Sequence, residues 1–270
     1  MAAFSRYIIH ADESGSPVLG ADATEFPVFV LVFVIVQKKH YVESLVPKVQ
    51  MLKFNAVGHD QLILHERDIR RQANAFAFLQ VNEAVRNAFI AETTSIMETG
   101  EFSLCCAIID KKKLMANYAK PWSPYEIALV FCMEAAANAL LKKGERNVQV
   151  NVVFEARGPA EDKHLELEFR RISSGAPSLG RADPAMKEFE WKPMFVDKRA
   201  NSTGLRLLTW RLGHLVCLIF DQVNRTAPPK YFAPKWSSPT PNASPKKLWA
   251  AEIPQQPIAD RKTPAHLCHI

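Results

Sequence analysis

Residues 26–37 read Phe-Pro-Val-Phe-Val-Leu-Val-Phe-Val-Ile-Val-Gln, a run of β-branched and aromatic side chains without polar interruption. Such side chains crowd a helix but fit the pleat of a strand. Successive strand residues point to opposite faces, so a strand apolar at every position needs cover on both sides. The run therefore predicts the central strand of a sheet sandwiched between layers of helices. It is too short to cross a bilayer, which needs about 20 apolar residues, and no membrane partner is expected.

The rest of the chain supplies the layers. Residues 6–12 form a first strand, and residues 38–54 are weakly helical with an interruption at Pro47. Residues 62–65 read as a short strand. Between residues 75 and 99, Phe78, Val81, Val85 and Phe89 recur at helical spacing, and Gly100 closes the element. Residues 102–110 form a strand. Ser123-Pro124-Tyr125-Glu126 is a capping box with proline at the first helical position, opening a helix that runs to the Lys142-Lys143-Gly144 stop. A strand over 147–154 and a helix from Gly158-Pro159 with Leu165, Phe169 and Ile172 on one face follow. A Ser/Gly/Pro loop leads to a strand over 189–196 and a closing helix near Asn201. Strands alternating with helices predict an α/β fold, a mixed β-sheet flanked by helices, in one domain over residues 1–215.

Composition separates residues 216–270 from that domain. The net charge of +6 suggests nucleic-acid binding until it is divided along the chain. From Leu205 onward there are nine Lys/Arg against three Asp/Glu, whereas the preceding residues carry 25 of each. The same stretch holds nine of the 18 prolines, and it has no periodicity. It reads as a basic, proline-rich, poorly ordered tail. Cys105, Cys106, Cys132, Cys217 and Cys268 show no metal-ligand spacing, and an odd, scattered set fits reduced thiols in a cytoplasmic protein. The first residues lead straight into a strand, without the apolar region of a secretory signal.

Three predicted strands end in acids: Asp12 and Glu13, then Asp110, then Glu155. Converging carboxylates repel one another unless a cation lies between them, and an all-oxygen donor set suits Mg²⁺ or Mn²⁺. Such sites cleave phosphodiesters. Strand alternation puts Asp12 on the face of Ile8 and His10 and turns Glu13 the other way unless the strand has already ended, so Asp12, Asp110 and Glu155 are the expected ligands and catalytic residues, with Glu13 in reserve. Ser-Gly-Ser-Pro after Glu13 is equally the composition of an ordinary turn. His65, beside Glu66 and Asp68, is a candidate substrate contact, with a solvated salt-bridge cluster as the ordinary alternative. Arg157 suits a phosphate, or an ion pair with Glu161 one turn on. Lys111, first of three lysines, lies near a phosphate if Asp110 is a ligand.

Taken in order, Ala11-Asp12-Glu13-Ser14-Gly15, Leu64-His65-Glu66-Arg67-Asp68-Ile69, Ile109-Asp110-Lys111, Pro124-Tyr125-Glu126, Phe154-Glu155-Ala156-Arg157-Gly158 with Glu161-Asp162, and Asn201-Ser202-Thr203-Gly204-Leu205 form a set. The set resembles the bacterial domain-of-unknown-function 3800 family over about residues 6–205. The resemblance implies a ribonuclease-H-like fold in which acids on the first strand, a later strand and a last helix bind Mg²⁺ for phosphodiester chemistry. One departure stands out. The family pattern continues Gln-Leu-Ala-Asp-Leu and then Arg-Pro, whereas this chain continues Arg206-Leu207-Leu208-Thr209-Trp210-Arg211-Leu212-Gly213-His214, with no acid. If residues 207–214 are encoded by one compatible choice of codons, CTG CTG ACC TGG CGG CTC GGC CAC, regrouping from the third base reads Ala-Asp-Leu-Ala-Ala-Arg-Pro. The expectation is that one base was lost near Leu207 and that the tail is read out of frame; the coding DNA tests it.

These readings predict a protein derived from a Mg²⁺- or Mn²⁺-dependent nuclease, inactive if the missing last-helix acid is essential. The alternative is a non-catalytic module that binds nucleic acid or protein. A basic tail acting as a nucleic-acid arm, with Trp210, Trp236 and Trp249, ranks last, because no period places a reading face on it.

Overall fold

A computed structural model describes residues 3–20, 27–177, 183–197 and 250–253. The strands are β1 (Ala3–Phe4), β2 (Tyr7–Ser14), β3 (Val28–Gln37), β4 (Phe102–Asp110), β5 (Val148–Glu155), β6 (Phe189–Val196) and β7 (Ala250–Ile253). They form one sheet. β3 lies between β2 and β4 and is antiparallel to both, so the carboxyl ends of β2 and β4 emerge at the same edge. β5 runs parallel to β2 on its other side, and β6 parallel to β5. β7 pairs antiparallel with β4, and β1 pairs with the start of β5. The result is an α/β fold with a mixed sheet, and β3 is its apolar centre.

Helices cover both faces. α1 spans residues 38–57, with a π-helical turn at Tyr41–Leu45 ahead of Val46–Val57. Pro47 does not interrupt it. The wide turn lies where the proline's missing N–H and its ring disturb the preceding carbonyls, so the helix continues. α2 is Glu66–Arg71, α3 is Phe78–Val81 and α4 is Glu83–Thr99. The predicted helix over 75–99 is thus broken, because Asn82 leaves the helical region and its side chain accepts bonds from the N–H groups of Ala84 and Val85. Residues 61–65 are not a strand; they lead into α2, with His65 at the cap position. α5 is Lys111–Asn117, α6 is Pro124–Lys142 and α7 is Pro159–Ser173. The Ser123 hydroxyl accepts from the Tyr125 N–H and starts α6 as expected. The closing helix predicted near Asn201 lies outside the described residues, as does the tail apart from β7.

Alternation divides the core in two. Ile9, Ala11, Phe29, Leu31, Phe33, Cys105, Ala107, Val152 and Phe154 face α6 and α7 with Phe131, Cys132, Phe169 and Ile172. Val28, Val30, Val32, Cys106 and Val153 face the other way, against Leu45, Val49, Leu52, Leu62, Leu64, Phe89 and Ile96. α6 is long and apolar enough, by composition, to cross a membrane, but 72% of that apolar stretch is buried inside the fold. Its apolarity is explained by burial beneath the sheet.

Candidate functional site

The carboxyl ends of β2, β4 and β5 share one edge, and register decides which acids meet there. Ala11 is paired with Phe154 across the parallel β2 and β5. One residue further along both strands come Asp12 and Glu155, on the same face, with Cα atoms about 5 Å apart at ordinary strand spacing. Both are half-buried. One Asp12 carboxylate oxygen accepts the Glu13 N–H at 2.9 Å, which orients it at the strand end.

Asp110 does not join them. Asp12 is opposite Val32, which is opposite Cys106, so Asp110 lies two strands away and four residues further along. That displacement is about 15 Å between Cα atoms, too far for a shared ion. Its carboxylate caps α5, accepting the Lys113 N–H at 3.0 Å, and pairs with the Lys113 ammonium at 3.3 Å. Of the three strand-end acids expected to converge, Asp12 and Glu155 are neighbours and Asp110 is not.

Glu13 belongs to a different constellation on the opposite face. Because β2 continues to Ser14, alternation turns Glu13 toward α6. Its carboxylate pairs with the Arg157 guanidinium at 3.0 Å and accepts the Tyr125 hydroxyl at 3.2 Å. The guanidinium also sits 4.6 Å from the centre of the Tyr125 ring, in cation–π contact. The Arg157 N–H donates to Asp162 at 3.0 Å, so the ion pair of Arg157 is with Glu13 and not with Glu161. Burial pushes the Glu13 carboxyl above its ordinary range, against the Arg157 charge and the Tyr125 hydrogen bond; the negative charges of Glu155 and Asp162 push the same way as burial. Burial, then the Glu13 charge, holds the Tyr125 phenol well above its usual range.

Lys111 is not a surface phosphate contact. It is fully buried, and its ammonium donates to the carbonyls of Ser16 at 3.0 Å and Val18 at 2.9 Å. It pins the turn after β2. Gly15 makes that turn possible: its φ is +86°, and a Cβ there would lie 2.4 Å from the Val28 carbonyl oxygen. His65 is half-buried on the Asp12 side of the sheet, in the segment whose Leu62, Leu64 and Ile69 join that core. Asp68 accepts an Asn74 side-chain N–H at 3.1 Å.

Two features had little signal in the sequence. Tyr125 and Asp162 read as helix-start residues, yet they complete the setting of Arg157. His10 stands two residues before Asp12 on the same face, 3% exposed, with its ring 5.4 Å from that of Tyr41. Neither imidazole nitrogen has a hydrogen-bond partner among the described residues. Burial lowers its pKa from 6.5 to about 4. Among the described residues no three His, Cys, Asp or Glu side chains come together as a metal-holding group. The closing segment from Asn201, where the resemblance expects a last-helix acid, lies outside those residues. Compared with known proteins, the sequence matches no family model and no curated protein.

Proposed function

We propose that this chain is built on the ribonuclease-H-like, divalent-cation-dependent nuclease plan, as a member of the domain-of-unknown-function 3800 family. The observation that supports this most is the pairing of Asp12 with Glu155. An acid at the end of the first long strand stands beside an acid at the end of a later, parallel strand, as that plan requires. The donor set fits the ion. Two adjacent, half-buried carboxylates present hard oxygens, which match Mg²⁺ or Mn²⁺ better than zinc. A bound ion supplies water activation and charge neutralisation at the leaving oxygen. Asp12 and Glu155 hold it, Asp110 is not a ligand, and Glu13 serves Arg157 instead. Cleavage of labelled DNA and RNA strands in Mg²⁺ or Mn²⁺ tests the reading. Activity should vanish in Asp12→Asn and in excess chelator, and equal cleavage in chelator would reject it.

A second reading is favoured by one specific observation: the sequence from Arg206 to His214 carries no acid where the family's last-helix ligand belongs. With only two carboxylates, the ion is held weakly and the chain binds nucleic acid without cutting it. Binding that persists unchanged in Asp12→Asn, with no turnover in any divalent cation, would select this reading. On either reading the protein works in a cytoplasm.

A further inference from the structure

Between Lys111 and Tyr125 the chain carries four lysines and no acid, and Tyr118 and Trp122 are interleaved with them. The fold gives this pattern a place. α5 leaves the end of β4, and α6 begins at Pro124 with the Tyr125 hydroxyl on Glu13. Residues 118–123 therefore lie along the strand-end edge, between Asp110 and the turn that carries Asp12 and Glu13. Tyr118 is half-buried against the core, and Trp122 is 36% exposed. Their rings meet edge-on with centres 6.3 Å apart. Lys112, Lys113 and Lys120 are exposed around them, and Lys113 alone of these shares its charge with Asp110. Arg157 stacks on Tyr125, at the end of the same segment.

An exposed indole held by a half-buried phenol is a rigid flat surface. Flanked by exposed ammonium groups, with no acid between Lys111 and Tyr125 in the sequence, it matches a chain that presents both π-faces and regularly spaced phosphates. In duplex nucleic acid the base faces are stacked on one another and unavailable to a protein ring. We propose that this aromatic–lysine loop is a stacking platform for single-stranded nucleic acid. Trp122 takes a base face, Tyr118 backs it, and Lys112 and Lys120 take the backbone. The inference rests on the nucleic-acid reading above and narrows its substrate to unpaired strands. Both the catalytic and the non-catalytic version accommodate it.

The test is binding in excess chelator, so that no cleavage intervenes. Fluorescein-labelled oligothymidylate and oligouridylate are compared with an abasic deoxyribose-phosphate chain of the same length. Trp122→Ala should weaken both oligonucleotides by roughly 5- to 100-fold, and Trp122→Phe should restore most of that loss. The abasic chain should bind wild type and Trp122→Ala alike. Lys120→Gln should lower the salt dependence by about one phosphate contact on all three probes. Equal oligonucleotide binding by wild type and Trp122→Ala would overturn the proposal. So would an equal loss on the abasic chain, or failure of the wild type to bind any single strand. Retained melting temperature in Trp122→Ala confirms that the fold is intact. Trp122-dependent binding without cleavage in Mn²⁺ sinks only the nuclease reading, and cleavage confined to duplex sinks only this inference.

Discussion

Asp12 and Glu13 are neighbours with opposite surroundings. Asp12 lies on the face covered by α1 and α4, beside Glu155, a second acid with the same charge. Glu13 lies on the face covered by α6 and α7, tied to a cation and a phenol at 3.0 and 3.2 Å. One acid stands beside a second acid on the next strand; the other stands against a guanidinium and a hydroxyl donor. Two neighbouring carboxylates at a strand end offer oxygen donors to a cation. A compensated pair is self-sufficient. The difference teaches that alternation along one strand gives two sequence neighbours unlike electrostatic settings.

The largest effect that could break this comparison is on cation affinity. In calorimetric titration with Mn²⁺, Asp12→Asn should weaken binding by roughly a hundredfold, since one of two charged donors is lost. Glu13→Gln should leave it nearly unchanged. Equal losses in the two variants would put Glu13 in the ion site and dissolve the distinction.

Much of the architecture was legible because it rests on local chemistry. The apolar run of β3, the Ser123 cap and the helical spacing of Leu165, Phe169 and Ile172 each state their structure without reference to the rest. The opposite facings of Asp12 and Glu13 followed from alternation alone. What could not be read was adjacency. Asp110 ends a strand in acid just as Glu155 does, but β3 intervenes between β4 and β2, while β5 pairs with β2 directly. Strand order is a property of long-range pairing, and no residue near Asp110 encodes it. The partner of Arg157 was illegible for the same reason: Glu161 is one turn away in sequence, whereas Glu13 is adjacent only through the sheet. Residues 62–65 failed differently. A short apolar run serves a strand or a buried loop equally well, and here Leu62 and Leu64 fill the core without pairing.

A smaller effect concerns folding, where the ranking of the two acids reverses. Removing one member of a partly buried ion pair strands the other's charge, so Arg157→Ala should destabilise by about 2–3 kcal/mol. For a domain of this size that lowers the melting temperature by roughly 5 °C or more. Tyr125→Phe removes one hydrogen bond to a charged group and should cost about 1–2 kcal/mol. Asp12→Asn keeps the size and shape of a half-buried side chain and should stay within about 0.5 kcal/mol of wild type. Thermal melts in chelator decide the matter. A destabilised Asp12→Asn beside an unaffected Arg157→Ala would invert the assignment of the structural and the ligand acid.

The smallest effect belongs to His10, which shares the Asp12 face. A buried imidazole without hydrogen-bond partners is a net cost, so His10→Leu should stabilise by about 1 kcal/mol at neutral pH. The pH dependence carries a definite sign. Because the folded protein holds the histidine pKa down at about 4, against 6.5 when exposed, the unfolded chain takes up the proton first. The stability that His10 allows is therefore complete above pH 6.5 and is lost as the pH falls from 6.5 toward 4. In His10→Leu that part of the slope should disappear, while the acid loss from Glu145 persists. Hydrogen bonds from Arg6 lower the Glu145 pKa despite its burial, so its contribution also fades as the pH drops through the carboxylate range. Urea denaturation of the two proteins at closely spaced pH values separates the terms. An unchanged slope between pH 6.5 and 4.5 would mean that His10 is hydrogen-bonded in solution, and that this face of the sheet holds a polar contact beside Asp12.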